Sequence, residues 1–281
     1  MAIIIGIDVG GSTTKIVGFR DGGLLEPMLV KATDPVASVY GAFGKFTSER
    51  GIDIPSVERV MITGVGSTYI TGDIYGIPTV HVDEFAAIGR GGLYLSALEE
   101  AIIVSMGTGT ALVYAKQKRA EYLGGTGVGG GTMIGLSKAL LHMQDPGQIS
   151  ELAQNGDLEN IDLKIHDITS KNIIPTLSAQ ATASNFGKVS EIATNGDYAL
   201  GIINMICETI GMMAVFAARA KKITSIVLTG NLSTLEQAPR LYSGMGVMFG
   251  MDFIIPRNSE YATVIGAALL YFDKTAKEGK K

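Results

Sequence analysis

Four glycine-rich turns follow apolar strands or open helices in this sequence: DVGGST at 8–13, MGTGT at 106–110, GGTGVGGGT at 124–132 and LTGN at 228–231. Clustered glycine permits tight turns and close approach of the backbone to a ligand. Backbone N–H groups converge on an anion only where side chains do not block them, as at strand ends and helix N-termini. A single turn of this kind reads more readily as a structural hairpin. Four of them at strand ends, in this order, point to a phosphate-binding cleft shared by several strands.

The segments between the turns read as alternating strands and helices. The strand AIIIGID is followed by TTKIVGFRDGGLLEPMLV, two strands of a hairpin around an RDGG turn. DPVASVYGAFGKFTSER is predicted helical, with Asp34 as N-cap and Pro35 at the first helical position. VERVMITGVGS is a strand entering another glycine turn, IPTVHVDEF a short strand ending in Asp83–Glu84, and AAIGRGGLYLSALE a helix. In the second half, EEAIIVSMGTGTALVYAKQKRAEYLGGTG supplies two apolar strands around GTGT, then a charged hairpin and another strand. A glycine turn then leads into the helix GGGTMIGLSKALLHM. Residues 144–199 are predicted to form polar surface helices and loops, followed by a long apolar helix, the strand ITSIVLTGNLS, DFIIP and a final helix. The recurrence of strand and glycine turn in both halves predicts two related α/β lobes facing a central cleft. The boundaries read from it are 1–98, completed by a C-terminal helix over 260–281, and 99–259.

Composition narrows the function classes. With 46% hydrophobic and 18% charged residues, the chain of 281 residues is globular in character. A net charge of −4 argues against nonspecific nucleic-acid binding, which needs a basic face. The one cysteine, Cys207, excludes an internal disulfide. LGIINMICETIGMMAVFAARA (200–220) is long and apolar, but Glu208 interrupts it and its glycines and alanines suit close helix packing. It reads as a core or dimer-interface helix rather than a membrane span. Met1 leads directly into the first strand without a basic leader, so a cytoplasmic protein is expected.

Three side chains carry the candidate chemistry. Asp8 is placed to hold Mg²⁺, through water, beside phosphate oxygens. Lys15 neutralises a phosphate oxygen if the second hairpin strand folds back over the site. Glu84 reads either as a helix-start charge favoured by the helix dipole or as a general base. No GxxxxGK[ST] stretch is present. The glycines of 124–132 follow a hairpin rather than opening an N-terminal strand–turn–helix unit, unlike a dinucleotide fingerprint.

These segments resemble the actin-like ATPases, which include sugar kinases, acetate kinases and chaperone ATPases. DVGGSTTK is similar to their first phosphate loop, MGTGT to the second and LTGN to the adenosine-site turn. Within that superfamily the sequence resembles type II pantothenate kinases over most of its length. The matching segments are GIDVGGSTTKIV, VDEF, GTGT, GGTGVGGGTMIGL, AQNGDLENIDLKI, ASNFGKV and VIGAALLY. The resemblance implies two actin-like (ribonuclease H-like) lobes flanking a nucleotide cleft. It also implies a homodimer that phosphorylates pantothenate with ATP and Mg²⁺ in coenzyme A biosynthesis; with the charge balance and the reading of 200–220, no nucleic-acid or membrane partner is expected. By position, Gly10, Gly11, Ser12, Thr13, Thr14 and Lys15 match the ATP-binding loop. Thr108 and Gly109 match the second phosphate loop, and Gly129, Gly130, Gly131 and Thr132 a further ATP-binding turn. Gly230 and Asn231 fall at the adenosine side. Glu84 matches the catalytic acidic residue, which accepts the hydroxyl proton, with Asp8 and Lys15 beside the phosphates.

The departures from the family concern the acceptor. Ala111 stands where the family has a serine and Tyr122 where it has an arginine, two positions that help hold the substrate and its carboxylate. A neutral phenol does not replace a bidentate cation, and Arg119 compensates only if the hairpin register shifts. The resemblance therefore implies intact nucleotide machinery with altered acceptor recognition: pantothenate bound differently, or an alcohol lacking the carboxylate, such as pantetheine. Two other readings stay open. One is a nucleotide-binding regulator that has lost catalysis. The other is the ATP-driven activator of hydroxyacyl-CoA dehydratases, whose first loop is similar but whose shared iron–sulfur cluster needs cysteines.

Overall fold

The computed structural model describes residues 3–31, 34–169 and 178–278. Ile3, Ile4, Ile5 and Ile7 are all buried, so the first strand is covered on both faces. This strand, β1 (Ile3–Val9), turns through residues 10–13 into the antiparallel β2 (Thr14–Arg20). β3 (Gly23–Leu24) and β4 (Met28–Val30) share the outer edge of β2. α1 (Pro35–Glu49) begins as its sequence predicts, with the Asp34 carboxylate accepting from the Ala37 amide at 2.6 Å. β5 (Val57–Thr63) and β6 (Thr79–His81) then extend the sheet in parallel on the other side of β1. α2 (Glu84–Ser96) follows, capped by Asp83.

The second half builds the same topology again. β7 (Glu100–Met106), β8 (Thr110–Lys116) and β9 (Arg119–Thr126) form an antiparallel meander. α3 (Gly130–Leu141) and α4 (Pro146–Ala153) come next, then β10 (Leu163–Lys164), α5 (Ile165–Ile168) and β11 (Thr182–Ser184), with β10 and β11 paired apart from the main sheets. These last elements occupy the predicted polar region; its residues 170–177 lie outside the described residues, as do 279–281 of the predicted final helix. α6 (Asn195–Lys221) leads to β12 (Ser225–Thr229), parallel to β7, then α7 (Ala238–Phe249), β13 (Asp252–Ile254) and α8 (Ala262–Glu278). The sheet orders are β3–β2–β1–β5–β6, with β4 also paired to β2, and β9–β8–β7–β12–β13, so each strand of the second sheet has a counterpart in the first.

The duplication extends to the strand ends. Gly64 after β5 and Gly230 after β12 have φ of 88° and 86°. An added Cβ would meet the Val9 carbonyl oxygen at 2.6 Å in the first case and that of Met106 at 2.5 Å in the second. Each glycine lets a loop pass over the end of the central strand of its sheet. The sequence T-G-x-x-S recurs there, at 63–67 and 229–233, and each serine amide donates to its glycine's carbonyl.

Four helices cover the sheets in layers. α1 packs Val39, Phe43 and Phe46 on one face of the first sheet, and α8 packs Val264, Ile265 and Ala268 against Ile4, Val17 and Met61 on the other. α2 inserts Ile88 and Leu93 between itself and the second sheet, whose far face is covered by α6. Burying each of the larger of these side chains contributes about 1.5–3 kcal/mol. α2 and α8 meet in the middle at two glycines. A Cβ on Gly91 would lie 1.8 Å from the Ala262 carbonyl oxygen, and one on Gly266 1.9 Å from that of Ala87. Asp273 of α8 ties this junction, accepting from Arg90 at 2.7 Å and from Lys118 of the β8–β9 hairpin at 2.8 Å.

α6 is long and apolar enough to cross a membrane, yet 61% of its most apolar stretch is buried inside the protein. Ile202, Ile203, Ile206, Ile210 and Ala214 form the core of the second half. Glu208, the charge that interrupts the run, accepts from Thr182 Oγ1 at 2.8 Å and from Asn185 Nδ2 at 2.9 Å.

Candidate active site

The parallel strands of both sheets end on the same cleft, the usual place for a ligand in such sheets. Turns 10–13, 64–65, 107–109, 125–127 and 230–231 line it, together with the start of α2, around a volume of about 620 Å³. This is within the ordinary range for a small-molecule site.

Asp8 and Lys15 face one another across the β1–β2 ladder, and both line the cleft. Burial pushes the Asp8 carboxyl up to about 6; Lys15 opposes this shift and Glu84 adds to it. Burial also lowers the Lys15 ammonium, which Asp8 partly offsets. The Lys15 Nζ donates to the Glu260 carbonyl at 2.6 Å, tying β2 to the turn before α8. Asp8 is the carboxylate best placed for a divalent cation. It is acceptor-only when ionised, stands at the cleft wall between two glycine turns, and has a second carboxylate near enough to perturb it.

Glu84 is the first residue of α2 and projects from the N-terminal end of that helix. Asp83 beside it accepts from the Ala86 amide at 2.7 Å. Burial raises the Glu84 carboxyl, with a further push from the Asp83 charge. A carboxylate held in this way is a better proton acceptor than an exposed one.

The predicted phosphate-loop residues divide into those in the cleft and those behind it. Gly10, Gly11, Ser12 and Thr13 line the cleft. The Gly10 amide closes the turn onto the Thr13 carbonyl at 3.0 Å, and Gly11 and Ser12 stand exposed at its tip. Thr14 is buried instead, accepting from Ser38 Oγ at 2.5 Å. Thr108, Gly109, Gly230 and Asn231 also line the cleft. Gly129, Gly130, Gly131 and Thr132 stand behind the second loop. The amides of Gly130 and Gly131 donate to the carbonyls of Gly107 and Thr108, both at 2.9 Å, while Thr132 Oγ1 donates to the Gly127 carbonyl at 3.0 Å. These residues fix the loop that lines the cleft.

Ala111 and Tyr122 both lie in the lining. Ala111 faces Gly125 across the β8–β9 ladder, and a register shift after Leu112 sets Tyr122 opposite Val113. The Tyr122 ring stacks on Phe85, the neighbour of Glu84, with centroids 4.0 Å apart and planes 19° from parallel. Arg119 pairs with Lys116 at the exposed hairpin end and is not among the cleft-lining residues. Sequence reasoning missed Gly64, Val65, Ile88 and the Phe85 stack. The repeated T-G-x-x-S was the signal for the first two, since it equates Gly64–Val65 with Gly230–Asn231.

Elsewhere, Glu159, His166 and Asp167 bring possible ligand atoms within 4.8 Å of one another. Lys188 Nζ, 2.7 Å from Asp167, already supplies the positive charge there. Cys207 is buried in the second core, and burial pushes its thiol up to about 12.

Comparison with known proteins gives a consistent pattern. Residues 99–240 match the Fumble family model. A type II pantothenate kinase of Staphylococcus aureus (strain USA300) is 30% identical over 284 residues, covering 96% of this chain and 99% of that one. The same enzyme of Staphylococcus epidermidis (strain ATCC 12228) is 29% identical over 95% of this chain and 99% of its own. Among solved structures, the activator of the 2-hydroxyisocaproyl-CoA dehydratase from Clostridium difficile with bound ADPNP superposes with a TM-score of 0.71 at 15% identity, over 99% of this chain and 97% of that one. A ROK family glucokinase from Streptomyces griseus, in complex with glucose and AMPPNP, gives 0.63 at 13% identity, over 95% and 98%. At such identities the likeness is one of fold: two actin-like lobes.

Proposed function

The chain belongs to the type II pantothenate kinase family, and from that membership we propose that it transfers the γ-phosphoryl group of ATP to an alcohol held beside Glu84. The reaction breaks the bond between the γ-phosphorus and its bridging oxygen and forms a bond to the acceptor oxygen. ADP leaves, and Glu84 takes the hydroxyl proton. The single observation that carries the reading is the convergence of Asp8, Lys15 and Glu84 with the glycine turns on one cleft. Phosphoryl transfer depends mainly on positioning and charge neutralisation. Gly11, Ser12, Thr108 and Gly109 are positioned to receive phosphate oxygens, and Asn231 lies toward the base and sugar. Mg²⁺, held through water at Asp8, would neutralise phosphate charge when bound. Lys15 keeps β2 and the turn before α8 in register beneath the phosphates through its bond to the Glu260 carbonyl.

The lobes in this reading are residues 1–98 completed by the C-terminal helix, and 99–259. The packing of α8 on the first sheet supports this division, and α2 is the helix at their junction. The outward face of α6, with half-buried Met205, Met212 and Met213 beside exposed Phe216, is the proposed homodimer surface. An ATP-consuming reaction suits a cytoplasmic setting. The activator reading fares worse, because a cluster needs accessible thiolates and the one cysteine is buried with its thiol held protonated.

The test measures nucleotide binding and turnover separately. ATP or ADP with Mg²⁺ should raise the melting temperature, since a ligand at a hundredfold excess over its Kd stabilises the folded state by about 2.7 kcal/mol. ADP formation is then screened with pantothenate, pantetheine and several sugars. No thermal shift at millimolar nucleotide, or no ADP with any acceptor, removes the kinase reading.

A further inference from the structure

Resting on the kinase reading, we propose that the preferred acceptor is an alcohol whose far end carries no charge, recognised by the Tyr122 ring, held in place by its stack on Phe85, rather than by a cation. The reacting hydroxyl is fixed beside Glu84. On α2 the next residue, Phe85, carries the stacked Tyr122 ring, and Ile88 lies one turn further along the cleft wall. Ala111, paired with Gly125 on the β8–β9 ladder, lines the cleft with no more than a methyl group. Tyr122 is 49% exposed, with its hydroxyl beside Gly125, so it offers the acceptor a ring and a polar tip.

The charges are unfavourable for an anionic acceptor. Among the described residues lining the cleft, the carboxylates are Asp8 and Glu84 and the cation is Lys15. Lys15 is 7% exposed, faces Asp8 and is bonded to the Glu260 carbonyl. The cations nearest in sequence to the wall are engaged or turned away. Arg90 and Lys118 are both bonded to Asp273, and Arg119 stands at the exposed hairpin end. A carboxylate arriving beside Glu84 would meet two negative side chains and the phosphates of ATP without a free cation. An uncharged amide or thiol end meets no such repulsion and gains contact with the Tyr122 ring.

Pantothenate and pantetheine are a suitable pair of probes, because they share the hydroxyl-bearing end and differ in the carboxylate. The expected result is that kcat/KM for pantetheine exceeds that for pantothenate by tenfold or more, from roughly the cost of one unpaired charged hydrogen bond. Tyr122→Arg should move the ratio toward pantothenate by about tenfold to a hundredfold, and Tyr122→Phe, which keeps the stack, should leave the preference in place. Calorimetric binding of both probes in the presence of a non-hydrolysable ATP analogue gives a readout independent of turnover. If that binding favours pantetheine while no ADP forms, the preference for an uncharged end holds as a property of ligand binding, and what fails is the kinase reading and with it the acceptor role. Preference for pantothenate in either assay overturns the inference, as does binding of neither probe. A folded Tyr122→Arg protein with an unchanged ratio overturns it too.

Discussion

Gly64 and Asp8 touch across the end of the first sheet: a Cβ on Gly64 would lie 2.6 Å from the Asp8 Oδ1. The absence of a side chain at Gly64 is thus what allows the carboxylate to reach the cleft wall. Gly64→Ala must accept both a positive φ and this collision. It should cost about 1–3 kcal/mol from the backbone alone, seen as a lower melting temperature, and should weaken nucleotide binding by displacing Asp8. An Ala variant with wild-type melting and nucleotide affinity would show that the loop relaxes freely.

Asp8 itself should have opposite effects in two assays. Its native carboxyl titrates at about 6, above the ordinary 3.8, so between these values the folded state holds the proton more tightly than the unfolded state. The group's contribution to stability is therefore greatest below 3.8 and falls as pH rises toward 6. Relative to wild type, ligand-free Asp8→Asn should become progressively more stable from pH 4 to pH 7 in urea titrations. The same variant should lose Mg²⁺-nucleotide affinity at pH 7. A stability difference independent of pH would contradict the raised value.

Glu84→Gln separates chemistry from binding. Loss of the general base should reduce kcat by about 10²–10⁴-fold while the nucleotide-induced thermal shift remains. Because burial raises this carboxyl, the acidic limb of the wild-type rate profile should lie above the ordinary glutamate range. A variant that turns over like wild type would leave Glu84 as a helix-start charge only.

Asp273→Asn tests the tie between α2, α8 and the β8–β9 hairpin. Burial acts to raise this carboxyl, but its bonds to Lys118 and Arg90 overcome that and hold it below 3.8. The stabilisation is present above 3.8 and disappears as pH falls through the lower native value. Urea titrations should show a loss of about 1–3 kcal/mol at neutral pH, with the gap to wild type closing toward pH 3.

Phe216, 59% exposed on the outward face of α6, is the proposed centre of subunit contact. Light scattering at micromolar concentration should report a dimer for wild type and a monomer for Phe216→Glu. A monomeric wild type would refute the contact.

Elements whose determinants are local in sequence were the legible ones. Asp34 and Pro35 announce α1, and the isoleucines of β1 announce a strand buried on both faces. α7 had no such announcement. Pro239, Gly244 and Gly246 break its pattern, and what anchors it is the burial of Tyr242, whose hydroxyl donates to Met106 Sδ at 3.2 Å from a distant strand. The site was legible in its residue types and less so in their bonding. Lys15 reads as a free cation until its partner, the Glu260 carbonyl, is seen to come from the far end of the chain. Gly130 and Gly131 read as anion donors, but sequence does not reveal that nearby carbonyls already take their amides.

The packing of α8 onto the first sheet has a consequence for how the protein is made. Ile4, Val17, Phe19 and Met61 emerge from the ribosome before the second half, while Val264, Ile265, Ala268 and Leu269, which cover them, emerge only after it. The nascent first lobe therefore carries an open apolar face throughout synthesis of the second, a state prone to aggregation and suited to chaperone capture. A message truncated shortly before codon 262 would encode nearly the whole cleft and still yield a product unable to close its first core.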